Sequence, residues 1–333
     1  METLILKPNK ETYALAAKIL SAGGLVAFPT ETVYGLGANA LDENAAKKIY
    51  GVKGRPSDNP LIVHLANKQD IYKYCFVPPH AESFIDRFMP GAVTAVFKKN
   101  SLIPSTVTGG LDTVAVRIPQ NEVARELIAR AGLPICAPSA NTSSRPSPTQ
   151  AVHVYEDLNG KIPLIIDGGS CDIGIESTIV DFTGECPRLL RPGGVSLKEI
   201  TDFIGEVEQK IHSDRPLCPG MKYKHYSPSA EVYLYENEEV VLRAMRDFDN
   251  SAVICYQGEL TAVDSDKRIF FVKDNDEYAR EVFAIFRQCD GNKINKIFCR
   301  VPDFCGIGSA LLNRLVKASG SKTLEELYAK END

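Results

Sequence analysis

Short β-branched runs and amphipathic helical segments alternate along nearly the whole chain, and the alternation breaks once, in a proline-marked stretch at 206–228 with prolines at 216, 219 and 228. Such alternation selects an α/β architecture, because each strand and each helix must bury one face against the other. The break implies two units, and 333 residues exceed what one ordinary core organises. In the first unit, residues 11–22 carry Leu15, Ala16, Ile19 and Leu20 at helical spacing and stop at Gly23-Gly24. Residues 25–28, 61–65, 92–97, 113–118 and 134–137 read as strands, and 42–50, 81–88 and 121–131 as helices, the first of them capped by Asp42. Segments 164–169 and 177–181 are strands bounded by glycine, 188–194 reads as a basic turn, and the first domain is expected to close near residue 205. After a linker at 206–230, strand signals at 232–235, 252–256, 269–272 and 296–300 alternate with helices at 238–248, 278–288 and 309–317. This predicts a smaller α/β unit over 231–333 with a parallel sheet.

Composition narrows the function. A net charge of −5 argues against a protein whose main task is holding long nucleic acid, since that affinity comes from a basic face neutralising many phosphates. No apolar run approaches the length of a membrane helix, and the start Met1-Glu2-Thr3-Leu4 lacks a signal-peptide pattern, so the expectation is a cytoplasmic protein without membrane contact. Nine scattered cysteines with no C-x-x-C pair read as reduced, mostly buried thiols.

Two polar clusters stand apart from core and linker. Lys53-Gly54-Arg55 offers a compact cation and a planar guanidinium fork, and Ser139-Ala140-Asn141 offers a hydroxyl, an amide and backbone N–H groups in one turn. Each fits either a solvated turn or a phosphate cradle. Thr30-Glu31-Thr32-Val33-Tyr34-Gly35 has hydroxyls suited to positioning a polar substrate, but no nucleophile with a partnering base. His64 is either a hydrogen-bonded core histidine or a ligand-facing one, and Arg117 at a strand end suits a carboxylate-bearing ligand. The polar segment 142–149 is mobile or wraps a ligand, and 306–309 is a plain helix start or a second anion site. There is no H-E-x-x-H, Walker lysine loop, G-x-S-x-G elbow or cysteine–histidine metal spacing, so covalent catalysis is not indicated. What remains is a pocket suited to holding a nucleotide beside a small polar acid.

The string from Thr30 to Gly37, the K-G-R and S-x-N pair, Glu176–Asp181, Arg191-Pro192-Gly193 and the linker ending Lys224-His225-Tyr226-Ser227-Pro228 together resemble the threonylcarbamoyl-AMP synthases of the long, two-domain form. The resemblance covers the whole chain. It implies a YrdC-like domain at 1–205 with a twisted mixed sheet and flanking helices, and a Rossmann-like α/β domain after the linker. It also implies an L-threonylcarbamoyladenylate synthase, a nucleotidyltransferase that makes threonylcarbamoyl-AMP and pyrophosphate from L-threonine, bicarbonate or CO2, and ATP. The product would serve threonylcarbamoyladenosine formation at position 37 of tRNA, through a separate tRNA threonylcarbamoyltransferase complex, with no stable nucleic-acid binding by this chain.

Carried over residue by residue, the resemblance assigns Lys53 and Arg55 to catalysis, and Thr32, His64, Arg117, Ser139 and Ser177 to L-threonine and its carbamate. Arg55, Asn59, Thr113, Asn141, Thr149, Arg191 and His225 would contact ATP, and Mg2+ would ride on its phosphates with protein ligands unassigned. Lys224, His225 and Tyr226 would form a lid that keeps water from a hydrolysable carbamate. Two other classes remain in view: a double-stranded RNA or tRNA-binding module without adenylation activity, and a carbamoyl-adenylate enzyme of hydrogenase maturation. The second lacks support from any acylphosphatase-like or zinc-finger segment here.

Overall fold

A computed structural model describes residues 2–209, 217–219, 226–260 and 268–329. Contacts divide the chain into two compact units, Met1–Ser143 with Ser147–Tyr223, and Ser144–Pro146 with Lys224–Asp333. The first unit begins β1 (Leu4–Leu6), α1 (Lys10–Ser21), β2 (Val26–Phe28), β3 (Gly35–Asn39), α2 (Glu43–Lys53) and β4 (Ile62–His64). It continues with α3 (Gln69–Tyr74), β5 (Cys75–Phe76), α4 (Glu82–Phe88), β6 (Val93–Lys99), β7 (Thr113–Arg117) and α5 (Glu122–Ala131). It ends with β8 (Ile135–Ala137), α6 (Ala151–Leu158), β9 (Leu164–Ile166), β10 (Thr178–Asp181), β11 (Arg188–Arg191) and α7 (Leu197–Ile204).

The strands form one mixed sheet in the order β1-β9-β2-β3-β8-β4-β7-β6-β10-β11, with β5 beside β6. The expected mixed sheet is therefore present. Strand alternation gives its two faces different chemistry. Val63, Val114, Val116, Ala95, Phe97, Cys136 and Val180 point into the main core. Their in-between neighbours leave by the other face: the paired residues Ile62, Ala115 and Val96 join Ile179, Leu190 and Cys218 in a small separate cluster.

Two local readings change. The segment at 188–194 is not a simple basic turn, because Arg188–Arg191 is a strand antiparallel to β10. Its central leucines are buried on opposite faces, Leu189 in the main core and Leu190 in the small cluster, and that burial outweighs the turn-like flanks. The glycine-rich string after β2 also becomes a strand, β3, antiparallel to both β2 and β8. Asp42 does cap α2, accepting from the N–H groups of Asn44 and Ala45.

The second unit contains β12 (Glu231–Tyr235), α8 (Glu238–Asp247), β13 (Ser251–Tyr256), β14 (Ile269–Val272), α9 (Asn275–Gly291), β15 (Lys296–Arg300), α10 (Gly308–Ser319) and α11 (Leu324–Ala329). Its four strands are all parallel, in the order β12-β15-β13-β14, as the strand–helix alternation predicts. Ser144–Pro146 belongs to this unit: Arg287 donates to the Pro146 carbonyl at 2.6 Å, and the Ser227 N–H donates to the Ser144 carbonyl at 3.0 Å. Tyr226 is buried, stacked 5.4 Å from Phe283 with the Arg314 guanidinium 5.3 Å from its ring centre. Seven of the nine cysteines are buried, and all are free thiols.

Candidate active site

Of the predicted ligand residues, the face opposite the main core gathers Thr32, His64, Arg117 and Ser177. His64 pairs with Arg117 across β4 and β7, and with Ile135 of β8. Next along the same rung is Thr94 of β6, whose hydroxyl lies 2.8 Å from that of Ser177 just before β10. All four side chains are buried, so each polar atom must find a partner in the protein or in a ligand.

Arg117 shows how tightly this row is determined. Its Nη1 donates to Thr32 Oγ1 at 2.8 Å, its Nε donates to the Gly91 carbonyl at 3.3 Å, and its Nη2 lies 2.7 Å from Glu31 Oε1. The ion pair is close but out of hydrogen-bond alignment, so neither Arg117 Nη2 nor Glu31 Oε1 makes a hydrogen bond. Burial by itself raises the Glu31 carboxyl, but the adjacent Arg117 charge and backbone N–H donation outweigh burial and hold it below the usual carboxylate value. Glu31 is therefore ionised at neutral pH. For His64, burial and then the Arg117 charge pull the imidazole down to about 3, and its Nδ1 faces the Ile62 carbonyl at 3.2 Å. It is therefore neutral at physiological pH, and its imidazole is suited to hydrogen bonding.

The two clusters singled out in the sequence are joined directly. Lys53 is the last residue of α2 rather than a loop residue, and its ammonium is buried. It donates to the Ser139 carbonyl at 2.5 Å and to the Asn141 carbonyl, drawing the turn after β8 onto the helix end. Ser139 in turn donates to Asn141 Oδ1 at 2.5 Å. Arg55 follows the left-handed C-cap Gly54 and donates to the carbonyls of Asn59 and Pro60 at 3.2 and 3.0 Å. Asn59 is buried, and its Oδ1 has no hydrogen-bond partner.

Thr113 lies on the same face of β7 as Arg117, but four residues earlier, about 13 Å along the strand. It pairs with Lys98 and lines an open cavity of about 610 Å³ with Phe76, Lys98, Asp112 and Thr183. The structure thus does not bring Thr113 to the His64–Arg117 row. Thr149 is buried and donates its N–H to His153 Nδ1 at 3.3 Å. Arg191, also buried, donates to the Ser177 carbonyl from Nε and Nη2 at 3.2 and 2.9 Å, and to the Pro219 carbonyl from Nη1 at 3.1 Å. Linker residues Leu217 and Cys218 pack into the small apolar cluster on this face. Lys224 and His225 lie outside the described residues, whereas Tyr226 is described in the second unit.

Sequence reasoning left Glu31 and Thr94 out of the site. Glu31 sits inside a string already singled out for its hydroxyls, and Thr94 gives no sign beyond the alternation of β6.

A mixed sheet with an apolar core face, and an opposite face that sets buried cation, imidazole and hydroxyl groups beside a small apolar cluster, is an α/β scaffold suited to a small polar ligand. Residues 18–193 match the Sua5/YciO/YrdC family model, described as telomere recombination, and residues 195–320 match the model for the threonylcarbamoyl-AMP synthase C-terminal domain. The chain belongs to this family. It is 45% identical over 329 residues to the threonylcarbamoyl-AMP synthase of Pyrococcus abyssi, covering 93% of this chain and 95% of that one. It is 40% identical to the Bacillus subtilis threonylcarbamoyl-AMP synthase over 96% of each chain. The crystal structure of P. abyssi Sua5 complexed with L-threonine matches with a TM-score of 0.90 and 43% identity, over 96% of this chain and 99% of that one.

Proposed function

We propose that this chain is an L-threonylcarbamoyladenylate synthase, joining L-threonine, bicarbonate or CO2, and ATP into threonylcarbamoyl-AMP with release of pyrophosphate, for modification of adenosine 37 in tRNA. The observation that carries this reading is the end-to-end agreement with P. abyssi Sua5, which was solved with L-threonine. The polar face supports it, because it gathers the buried Arg117 cation with His64 and the hydroxyls of Thr32, Thr94 and Ser177, a set suited to a small hydroxylated amino acid.

The chemistry follows in two steps. The threonine amine attacks CO2, forming an N–C bond and losing one proton, which gives a carbamate. A carbamate oxygen then attacks the α-phosphorus of ATP, and the bridging P–O bond breaks with its electron pair leaving on pyrophosphate. Thr32, His64, Arg117, Ser139 and Ser177 hold the amino acid, with His64 acting as a neutral hydrogen-bonding group. Arg55, Asn59, Asn141, Thr149, Arg191 and His225 serve the nucleotide, and Lys53 and Arg55 offset the charge that grows as pyrophosphate departs. Thr113 serves the nucleotide only if the triphosphate extends along β7. Among the described residues, no group of three or more His, Cys, Asp or Glu side chains is gathered to hold a metal ion. Mg2+ would ride on the ATP phosphates and supply charge neutralisation, with its protein ligands unassigned.

Water exclusion falls to the linker. Residues 217–219 pack beside Arg191; the lid role of Lys224, His225 and Tyr226 is what the family resemblance implies. No helix among the described residues is long and apolar enough to cross a membrane. The reading includes a cytoplasmic location and a separate tRNA threonylcarbamoyltransferase complex that takes the product. Incubation with carbon-labelled bicarbonate, threonine and ATP should yield labelled threonylcarbamoyl-AMP by mass spectrometry. Formation of ADP, or of an AMP adduct without the label, would contradict the assignment.

A further inference from the structure

The hydroxyl groups of Thr30 and Thr32 have only one consistent proton arrangement. Thr30 Oγ1 lies 2.6 Å from the Val33 carbonyl, which can only accept, so the single Thr30 hydroxyl proton is donated there. The 2.8 Å contact between Thr30 Oγ1 and Thr32 Oγ1 must then be donated by Thr32. Thr32 Oγ1 also accepts from Arg117 Nη1 at 2.8 Å. Its proton is spent and one lone pair remains, so Thr32 can meet a ligand only as an acceptor.

The surroundings hold this arrangement in place. The N–H groups of Thr32 and Val33 both approach Thr30 Oγ1 at 3.2 Å, closing a local turn around it. The carbonyls of Glu31 and Thr32 accept from the N–H groups of Ile173 and Gly174 at 2.9 and 3.1 Å. Glu31, anchored by the Asn121 N–H at 3.3 Å, holds the Arg117 guanidinium beside it. Arg117 thus offers only donors, and Thr32 offers only an acceptor. An amino acid whose carboxylate meets Arg117 would turn its amine toward Thr32.

We propose that Thr30, which need not touch the substrate, is a positioning residue that fixes the Thr32 hydroxyl proton and thereby makes Thr32 the acceptor that selects the substrate amine. The inference rests on the amino-acid-binding role assigned above. It predicts which substitution weakens discrimination between threonine and an analogue lacking the amine.

The test compares dissociation constants of L-threonine and 3-hydroxybutanoate, which keeps the carboxylate and hydroxyl, by calorimetry on the full chain. The wild type should prefer threonine by roughly 100-fold or more. Thr30→Val, close in shape but without the hydroxyl, frees the Thr32 proton and should cut that preference by roughly tenfold. Thr30→Ser should restore it to within about twofold of wild type, a rescue that a purely steric role would not give. ATP affinity should stay within about twofold in both variants. Should Thr30→Val fail to fold, Thr30→Ala against Thr30→Ser carries the same comparison. An unchanged preference in folded Thr30→Val or Thr30→Ala would overturn the inference and leave the assigned activity intact. Absence of threonine binding by the wild type would instead overturn the assigned role of the site.

Discussion

His64 and Lys53 are both buried titratable side chains, and their neighbours give them opposite tasks. The His64 imidazole is pulled down to about 3 from the ordinary histidine value of 6.5, first by burial and then by Arg117. Between those values the unfolded chain takes up a proton that the folded chain refuses, so this residue lowers stability as pH falls below 6.5 and has no such effect above it. His64→Gln should therefore flatten the loss of melting temperature between pH 6.5 and 5, measured by thermal denaturation. An unchanged slope would mean that His64 is charged or solvated in the folded protein. Lys53, by contrast, keeps its ammonium on the Ser139 and Asn141 carbonyls. Lys53→Met leaves buried acceptors without their cation, at a cost of about 1–3 kcal/mol. It should also slow pyrophosphate release by roughly 100-fold or more, since it removes charge beside the reacting phosphate. Urea denaturation and turnover measured on the same sample separate the two effects. Lys53, Arg55, Ser139 and Asn141 were legible in the sequence because charge and small polar residues are out of place after buried segments. Glu31 was not, because its partner Arg117 is 86 positions away and only the fold brings them together.

Individual elements were legible where one period dominates. The helical spacing before Gly23 and the β-branched run at 113–118 both predict their elements closely. β3 escaped because two of its five residues are glycine, which ordinarily weakens a strand. Here the neighbours require it: a Cβ on Gly37 would stand 2.7 Å from both Phe28 and Ile135 side-chain carbons. β11 escaped because arginines at both ends resemble a solvated turn, although Arg191 is buried against Ser177. The glycine that follows has a similar origin. A Cβ on Gly193 would come within 2.2 Å of the Ser177 carbonyl carbon and 2.3 Å of the Thr178 nitrogen. Gly193→Ala must push the start of β10 aside, and we expect a loss of about 1–3 kcal/mol in urea denaturation, with weakened threonine binding. At the other end of the scale, Asp42→Ala removes the α2 cap far from substrate and should cost about 1 kcal/mol, with threonine affinity unchanged.

For the whole molecule, the alternation of strands and helices conveyed two α/β units, but it did not convey that Ser144–Pro146 is held in the second one. That assignment depends on Arg287 and Ser227, far along the chain, and no local pattern announces it. The lid reading makes a prediction at this scale: His225→Ala with Tyr226→Ala should release pyrophosphate while yielding less intact threonylcarbamoyl-AMP, because water reaches the carbamate. Chelation with EDTA should stop turnover without lowering the melting temperature, as expected of a metal carried by ATP rather than by the fold. The central claim is that the polar sheet face and the joined Lys53 and Ser139–Asn141 clusters adenylate a carbamate made from threonine. Pyrophosphate release, with threonine and bicarbonate each omitted in turn, tests it most directly. The account predicts release only when both are present, and its loss in Lys53→Ala and Arg55→Ala. Release that is independent of threonine, or indifferent to both substitutions, would contradict it.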